Sequence, residues 1–185
     1  MKHVKKANRT RLMTGGAVVA LGLAGFGAYS ASAGGERAAA PAAVTEAARK
    51  NTASATHLTA AAATEAARAA LEAAKKENQR VTVAVVDRDG NTIVTLRGDG
   101  AGPQSYESAE RKAYTAVSWN APTSVLAGRL AQAPNLKDIP GTLFLGGGVP
   151  VTAGGAPIAG IGVAGAPSGD LDEKFARAGA AALEK

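Results

Sequence analysis

Residues 81–100 read VTVAVVDRDGNTIVTLRGDG, and the fold is decided there. Val81, Val83 and Val85 alternate with Thr82 and Ala84, the period of two of a strand. Asp89-Gly90 is a hairpin turn signal, because glycine enters the positive-φ region that a tight turn needs. Ile93 to Arg97 then returns as the second strand. A hairpin makes its two strands antiparallel, so the sheet built on it is antiparallel at its start.

Upstream, THLTAAAATEAARAALEAAKKENQR predicts a helix with Thr59 as N-cap, Leu58 as the apolar residue before it, and an end near Asn78. Its alanines favour helix and permit close packing. Downstream, a glycine-rich loop leads to a helix from about Gln104 to Ser118, which Asn120-Ala121-Pro122 breaks. A shorter helix from Thr123 to about Gln132 follows, and APNLKDIPG reads as loop. TLFLGGG, VPVTAGG and APIAGIGVAGA read as three strands joined by glycine turns. SGDLDEKFARAGAAALEK closes the chain as a capped helix, with Asp170, Asp172 and Glu173 placed where the helix dipole favours them. The order α, β, β, α, α, β, β, β, α predicts an α+β domain: a five-stranded antiparallel sheet with helices packed on it.

Gly146, Gly147 and Gly148 in LFLGGGVPV pose a question, because three consecutive glycines lose much backbone freedom on folding. A phosphate-binding loop would need GxxxxGK[ST], and a dinucleotide fingerprint would need a helix after it. Val149-Pro150-Val151 follows instead and reads as extended chain. Two readings stay open: a left-handed bend between strands, and close approach of the backbone to a ligand or a second subunit.

The first 33 residues read as a secretory signal peptide. Lys2, Lys5, Lys6, Arg9 and Arg11 make a positive region, an apolar run covers about Gly15 to Ala28, and Ala31-Ser32-Ala33 is a small-x-small cleavage site. Residues 34–56 read as a flexible arm, partly helical between Val44 and Lys50, and 57–185 as the folded domain. Of 21 basic residues five leave with the leader, so 16 face 15 acidic ones and the mature chain carries +1. That balance gives no support for nucleic-acid binding. The destination is outside the cell.

The inventory for chemistry is short. There is no cysteine, and both methionines, Met1 and Met13, lie in the leader. The mature chain keeps one histidine, His57, and two tyrosines, Tyr106 and Tyr114. A hydrolase reading fails for want of a cysteine or a GxSxG elbow. On the 104–118 helix, Tyr106, Ala109, Ala113, Ala116 and Val117 recur at helical spacing and are expected in the core. Glu107, Glu110, Arg111 and Tyr114 form a second stripe. Glu107 and Arg111 can pair across one turn, worth a few tenths of a kcal/mol. Alternatively, Glu107-x-x-Glu110 offers two hard oxygen ligands to ferric iron. His57 reads as a solvated histidine or as a metal or axial ligand.

VAVVDRDGNTIVTLRGDGA, SAERKAYTA, PTS, LFLGGGVPV, IAGIGVAGA and DEKFARAGAAAL, in this order, resemble the GlcG/HbpS family. The resemblance covers residues 57–184. It implies a profilin-like α/β/α sandwich, assembly into a homo-oligomer (an octamer), and haem as ligand. Haem degradation and iron release are suggested for some members, which leaves enzymatic activity open. It also suggests that the glycine bend lines a pocket or subunit contact. Haem iron is held by His, Cys, Met or Tyr, which leaves His57 and the tyrosines, with Thr115 and Thr142 as weaker oxygen ligands. Thr142 leads into the glycine bend and is well placed if the bend borders the haem pocket. Arg111 and Lys112 are candidates for the haem propionates. The expected function is a secreted haem-binding oligomer that captures haem and handles its iron, in haem or redox sensing. The alternative is an extracellular interaction module for a membrane sensor kinase, without haem chemistry of its own.

Overall fold

The computed structural model describes residues 45–184, and the predicted signal peptide lies outside them. The folded unit begins at Ala47. Residues 45–59 carry a single 3-10 turn, Arg49–Asn51, in place of the expected helix between Val44 and Lys50. Among the described residues no helix is long and apolar enough to cross a membrane.

The helix Ala60–Lys76 (α1) starts where the sequence says: Thr59 Oγ1 accepts from the Ala62 amide at 3.2 Å. The hairpin Thr82–Asp87 (β1) and Thr92–Arg97 (β2) follows, with Thr82 opposite Arg97 and Val85 opposite Val94. Its turn is held by Asp87, whose Oδ1 accepts from the Asp89 and Asn91 amides, each at 2.8 Å. Then come Gln104–Trp119 (α2), Thr123–Arg129 (α3), Gly148–Ala153 (β3), Ala156–Ala164 (β4) and Gly169–Ala181 (α4). The strands form one antiparallel sheet in the order β2-β1-β4-β3.

The sheet has four strands, not the five expected. The segment 142–147 does not join it, because its backbone is satisfied elsewhere. The Leu143 amide donates to Thr115 Oγ1 at 2.7 Å, and the Leu145 amide to the Leu143 carbonyl. Only the Gly147 carbonyl reaches the sheet, accepting from the Val163 amide at 2.8 Å. The Gly148 amide, at the start of β3, donates to Thr123 Oγ1 on α3. The loop 130–141 also contains a 3-10 turn, Pro134–Asp138.

Helices cover both faces, so the α/β/α layering holds. One face packs Val81, Val83, Val85, Ile161 and Val163 against the alanines of α1 and Phe175 of α4. The other receives α2, through Ala84, Ala109 and Ala164 and through Val86, Ala113 and Val117. On this second face β4 presents glycine. A Cβ at Gly160 would lie 2.1 Å from the Ala113 carbonyl oxygen, and one at Gly162 2.0 Å from that of Ala109. Those distances are far inside van der Waals contact, so α2 lies directly on the backbone of β4.

Candidate functional site

The helix α2 is the element that presents the predicted residues. Its inner side is Ser105, Ala109, Lys112, Ala113, Thr115, Ala116 and Val117, all buried. Tyr106 is not among them: it is 47% exposed, correcting the expectation of a core tyrosine. Ser105 takes the inward position, and its hydroxyl bonds that of Thr82 at 2.7 Å.

Lys112 is also inward, which removes it as a surface anchor for a carboxylate ligand. Its Nζ sits 2.7 Å from Asp172 Oδ2 on α4 and donates to the Val163 carbonyl at 3.0 Å. Both side chains are nearly inaccessible, at 3% and 5%. Burial pushes the Asp172 carboxyl above its ordinary range, against the pull of Lys112. The lysine therefore ties α2 to α4 past the edge of the glycine segment.

Thr115 is likewise occupied: its hydroxyl donates to the Arg111 carbonyl and accepts from the Leu143 amide, both at 2.7 Å. Thr142 is buried, and its hydroxyl donates to the Ile139 carbonyl at 2.7 Å, which leaves its oxygen able only to accept. The Thr142 carbonyl accepts from Arg111 Nη2 at 2.7 Å. The loop after Thr142 is pinned by Phe144, edge-on to Trp119 with ring centroids 5.7 Å apart. The guanidinium of Arg129 lies 5.9 Å over that tryptophan. Ile139 and Leu145, on either side, remain exposed.

The glycine run resolves into separate duties. Gly147 has φ +128, the left-handed region, and a Cβ there would strike the Val163 carbonyl oxygen at 2.6 Å. Gly146 packs on the backbone of Gly169, and Gly148 on the Lys112 carbonyl. The bend and the close approach are both real, and the approach is to this chain's own helices.

The outer stripe of α2 is as predicted. Glu107 Oε1 stands 3.6 Å from Arg111 Nη1, an exposed pair. Glu110 is half-buried and accepts from Thr95 Oγ1 on β2 at 3.0 Å. Tyr114 is half-buried: a Cβ on Gly90 would stand 2.9 Å from its ring, too close, whereas one on Gly141 would stand at 3.5 Å, an ordinary contact. Glycine at 90 lets the hairpin turn close on the ring, and both glycines have positive φ, +90 and +78.

His57 stands at the same turn. It is exposed, its Nδ1 is 3.8 Å from Asp89 Oδ2, and with Asp87 and Asp89 it brings three potential ligand atoms within 4.8 Å of one another. An imidazole and two carboxylates suit a transition metal. The two aspartates were missed in the sequence because DRDG reads first as turn chemistry. Hydrogen bonds from Asn91 and Asp89 hold the Asp87 carboxyl below its ordinary range, although burial acts the other way.

A Streptomyces reticuli HbpS double mutant, in which two glutamates three positions apart are aspartates, is 76% identical with TM-score 0.75, over 77% of this chain and 99% of that one. Klebsiella pneumoniae protein ORFY is 27% identical with TM-score 0.68, over 72% and 96%. The PduOC haem complex is 29% identical with TM-score 0.63, over 69% and 95%. No curated protein matched. The model of the haem degrading protein HbpS-like family matches residues 58–181. With the α/β/α layering and the α2 stripe above, this places the chain in the HbpS-like haem degrading protein family.

Proposed function

We propose that the protein binds haem on the outer face of α2 and the adjoining loop 139–145, as a secreted homo-oligomer that captures haem and handles its iron. The family match and the haem complex of a 29% identical relative support haem as the ligand. The observation that carries the location is Arg111, half-exposed and hydrogen-bonded to the Thr142 carbonyl, on a loop that also exposes Ile139 and Leu145 and sets Gly141 against the ring of Tyr114. Haem needs an apolar wall, a cation for its propionates and a nitrogen or oxygen for its iron. Arg111 supplies the cation, Ile139 and Leu145 the wall, and Tyr114 or His57 the iron ligand. Thr142 Oγ1 has acceptor capacity but is buried, so it serves only if the loop opens. A second copy of the chain completes the cover over this open face, which is the reason an octamer or other closed oligomer suits the reading. Bound haem would supply the redox chemistry; the chain's own residues bind and orient it.

Iron belongs to the carboxylates in this reading. Glu107 and Glu110 are the only glutamates in the chain three residues apart, the spacing exchanged in the HbpS double mutant. The test is titration of residues 34–185 with hemin, following the Soret band, with His57→Ala, Thr142→Ala and Arg111→Gln in parallel. Saturable binding at fixed stoichiometry, weakened most by Arg111→Gln, is the expected result. Absence of a saturable shift would overturn haem binding and favour an extracellular module that contacts a membrane sensor kinase.

A further inference from the structure

Away from α2, Leu71, Glu72 and Lys75 of α1 line a cleft with Arg80, Arg97 and Asp99, of about 390 Å³. That is within the range of small-molecule sites, roughly 300–1,000 Å³. Its wall is partly apolar: Leu71 Cδ1 lies 3.0 Å from where a Cβ on Gly98 would stand. The stem of Arg80 lies equally close to Gly100, at 3.0 Å from its Cβ position, so the 98–100 loop is seated against both side chains. Arg97 is oriented by its own hydrogen bond, Nη2 donating to the Ala101 carbonyl.

The charges in this cleft do not cancel locally. Lys75, Arg80 and Arg97 are three cations, and Glu72 and Asp99 are two carboxylates on the same walls. Yet among the described residues every ion pair lies elsewhere, and none includes these five. Two guanidiniums with free donors recognise a carboxylate through paired hydrogen bonds. Two carboxylates with free lone pairs recognise a donor such as an ammonium or hydroxyl group. One positive charge is left over, which a ligand of net −1 neutralises.

We propose that this cleft is a binding site, separate from the haem face, for a small carboxylate that carries its own hydrogen-bond donor, of the amino-acid kind. The carboxylate sits at Arg80 and Arg97, the donor faces Glu72 and Asp99, and the ligand's carbon chain lies on Leu71. The mixed lining disfavours a bare polyanion, because Glu72 and Asp99 repel it.

The experiment is calorimetric titration of the mature protein with three probes: L-glutamate, glutarate (the same chain without the ammonium group) and inorganic phosphate. Glutamate is expected to saturate at one per chain, with glutarate and phosphate at least tenfold weaker. Arg80→Gln with Arg97→Gln is expected to weaken glutamate at least tenfold. Because Arg97 also holds the Ala101 carbonyl, Arg80→Gln alone is the second variant, with a severalfold loss expected. Hemin titration is expected to be unchanged in both. Absence of saturable glutamate binding, equal affinity for glutarate or phosphate, or an unaffected Arg80→Gln would each overturn the proposal. A parallel loss of hemin binding would overturn the separateness of the site.

Discussion

The two faces of the sheet are built on opposite principles. Toward α1 and α4 the strands offer Val81, Val83, Val85, Ile161 and Val163, and the layer is a conventional core of branched side chains. Toward α2 they offer Ala84, Val86 and Ala164 with Gly160 and Gly162, and at the two glycines one backbone lies on another. Burial on the first face supplies stability, at about 1.5–3 kcal/mol for each large apolar side chain. The second face, through the glycine contacts, fixes α2 in position and depth. That is the helix whose outer stripe carries Glu107, Glu110, Arg111 and Tyr114. The difference assigns stability to one side of the sheet and placement of the candidate site to the other.

Lys112 and Asp172 offer the largest effect, since they join α2 to α4 around the sheet edge. Lys112→Met leaves a buried carboxylate without its partner and is expected to cost about 3–5 kcal/mol in chemical denaturation. Lys112→Met with Asp172→Leu is expected to recover much of that. If the single variant costs under about 1 kcal/mol, the pair is not what joins the two layers.

Next comes the contrast itself. Gly162→Ala forces a methyl group into the Ala109 carbonyl and is expected to cost about 3 kcal/mol, the upper end for overpacking. Ile161→Val, one residue away on the other face, is expected to cost only about 0.5–1.5 kcal/mol. Equal costs would break the distinction between the faces. Hemin affinity should follow the same asymmetry, falling in Gly162→Ala and holding in Ile161→Val under conditions where both are folded.

A smaller effect sharpens the account at α3. Glu173, on α4, accepts from Ser124 Oγ at 2.8 Å, the Ser124 amide at 3.1 Å and Arg177 Nη2 at 2.6 Å. Burial alone would raise its pKa, but the Ser124 and Arg177 interactions outweigh it and hold the carboxyl below its ordinary 4.5. A lowered folded-state pKa gives stability that is present above the unfolded value and lost as pH falls through the folded one. Glu173→Gln is expected to lower stability at pH 7 by about 1–3 kcal/mol and to flatten the acid limb below pH 4.5. An unchanged acid limb would remove Glu173 from that role. Smallest is Thr59→Ala, which deletes the α1 cap and is expected to cost about 1 kcal/mol by thermal melting.

The same contrast explains what could be read from the sequence. Where side chains alternate, as in 81–86, the pattern is local and the strand was legible. Thr59 was legible as a cap because a cap acts within three residues. The segment 142–147 was not, because whether an apolar run pairs as a strand depends on what its amides meet, here Thr115 on α2 for the Leu143 amide. Tyr106 was misplaced for a related reason. An apolar stripe on α2 selects the tyrosine, whereas the true inward face includes Ser105 and Lys112, polar residues whose side-chain partners, Thr82 and Asp172, lie far away in the sequence. Of the candidate site, Glu107, Glu110, Arg111 and Tyr114 were legible as one helical stripe. The meeting of His57 with Asp87 and Asp89 needed the fold.

Hydrogen–deuterium exchange with and without hemin tests the central claim most directly, because it reports on both faces in one experiment. The account predicts that protection is gained in peptides covering 104–119 and 139–148, with those of α1 and α4 unchanged. Protection gained mainly in α1 and α4, or in no peptide while the Soret band shifts, would contradict the assignment of haem to the α2 face.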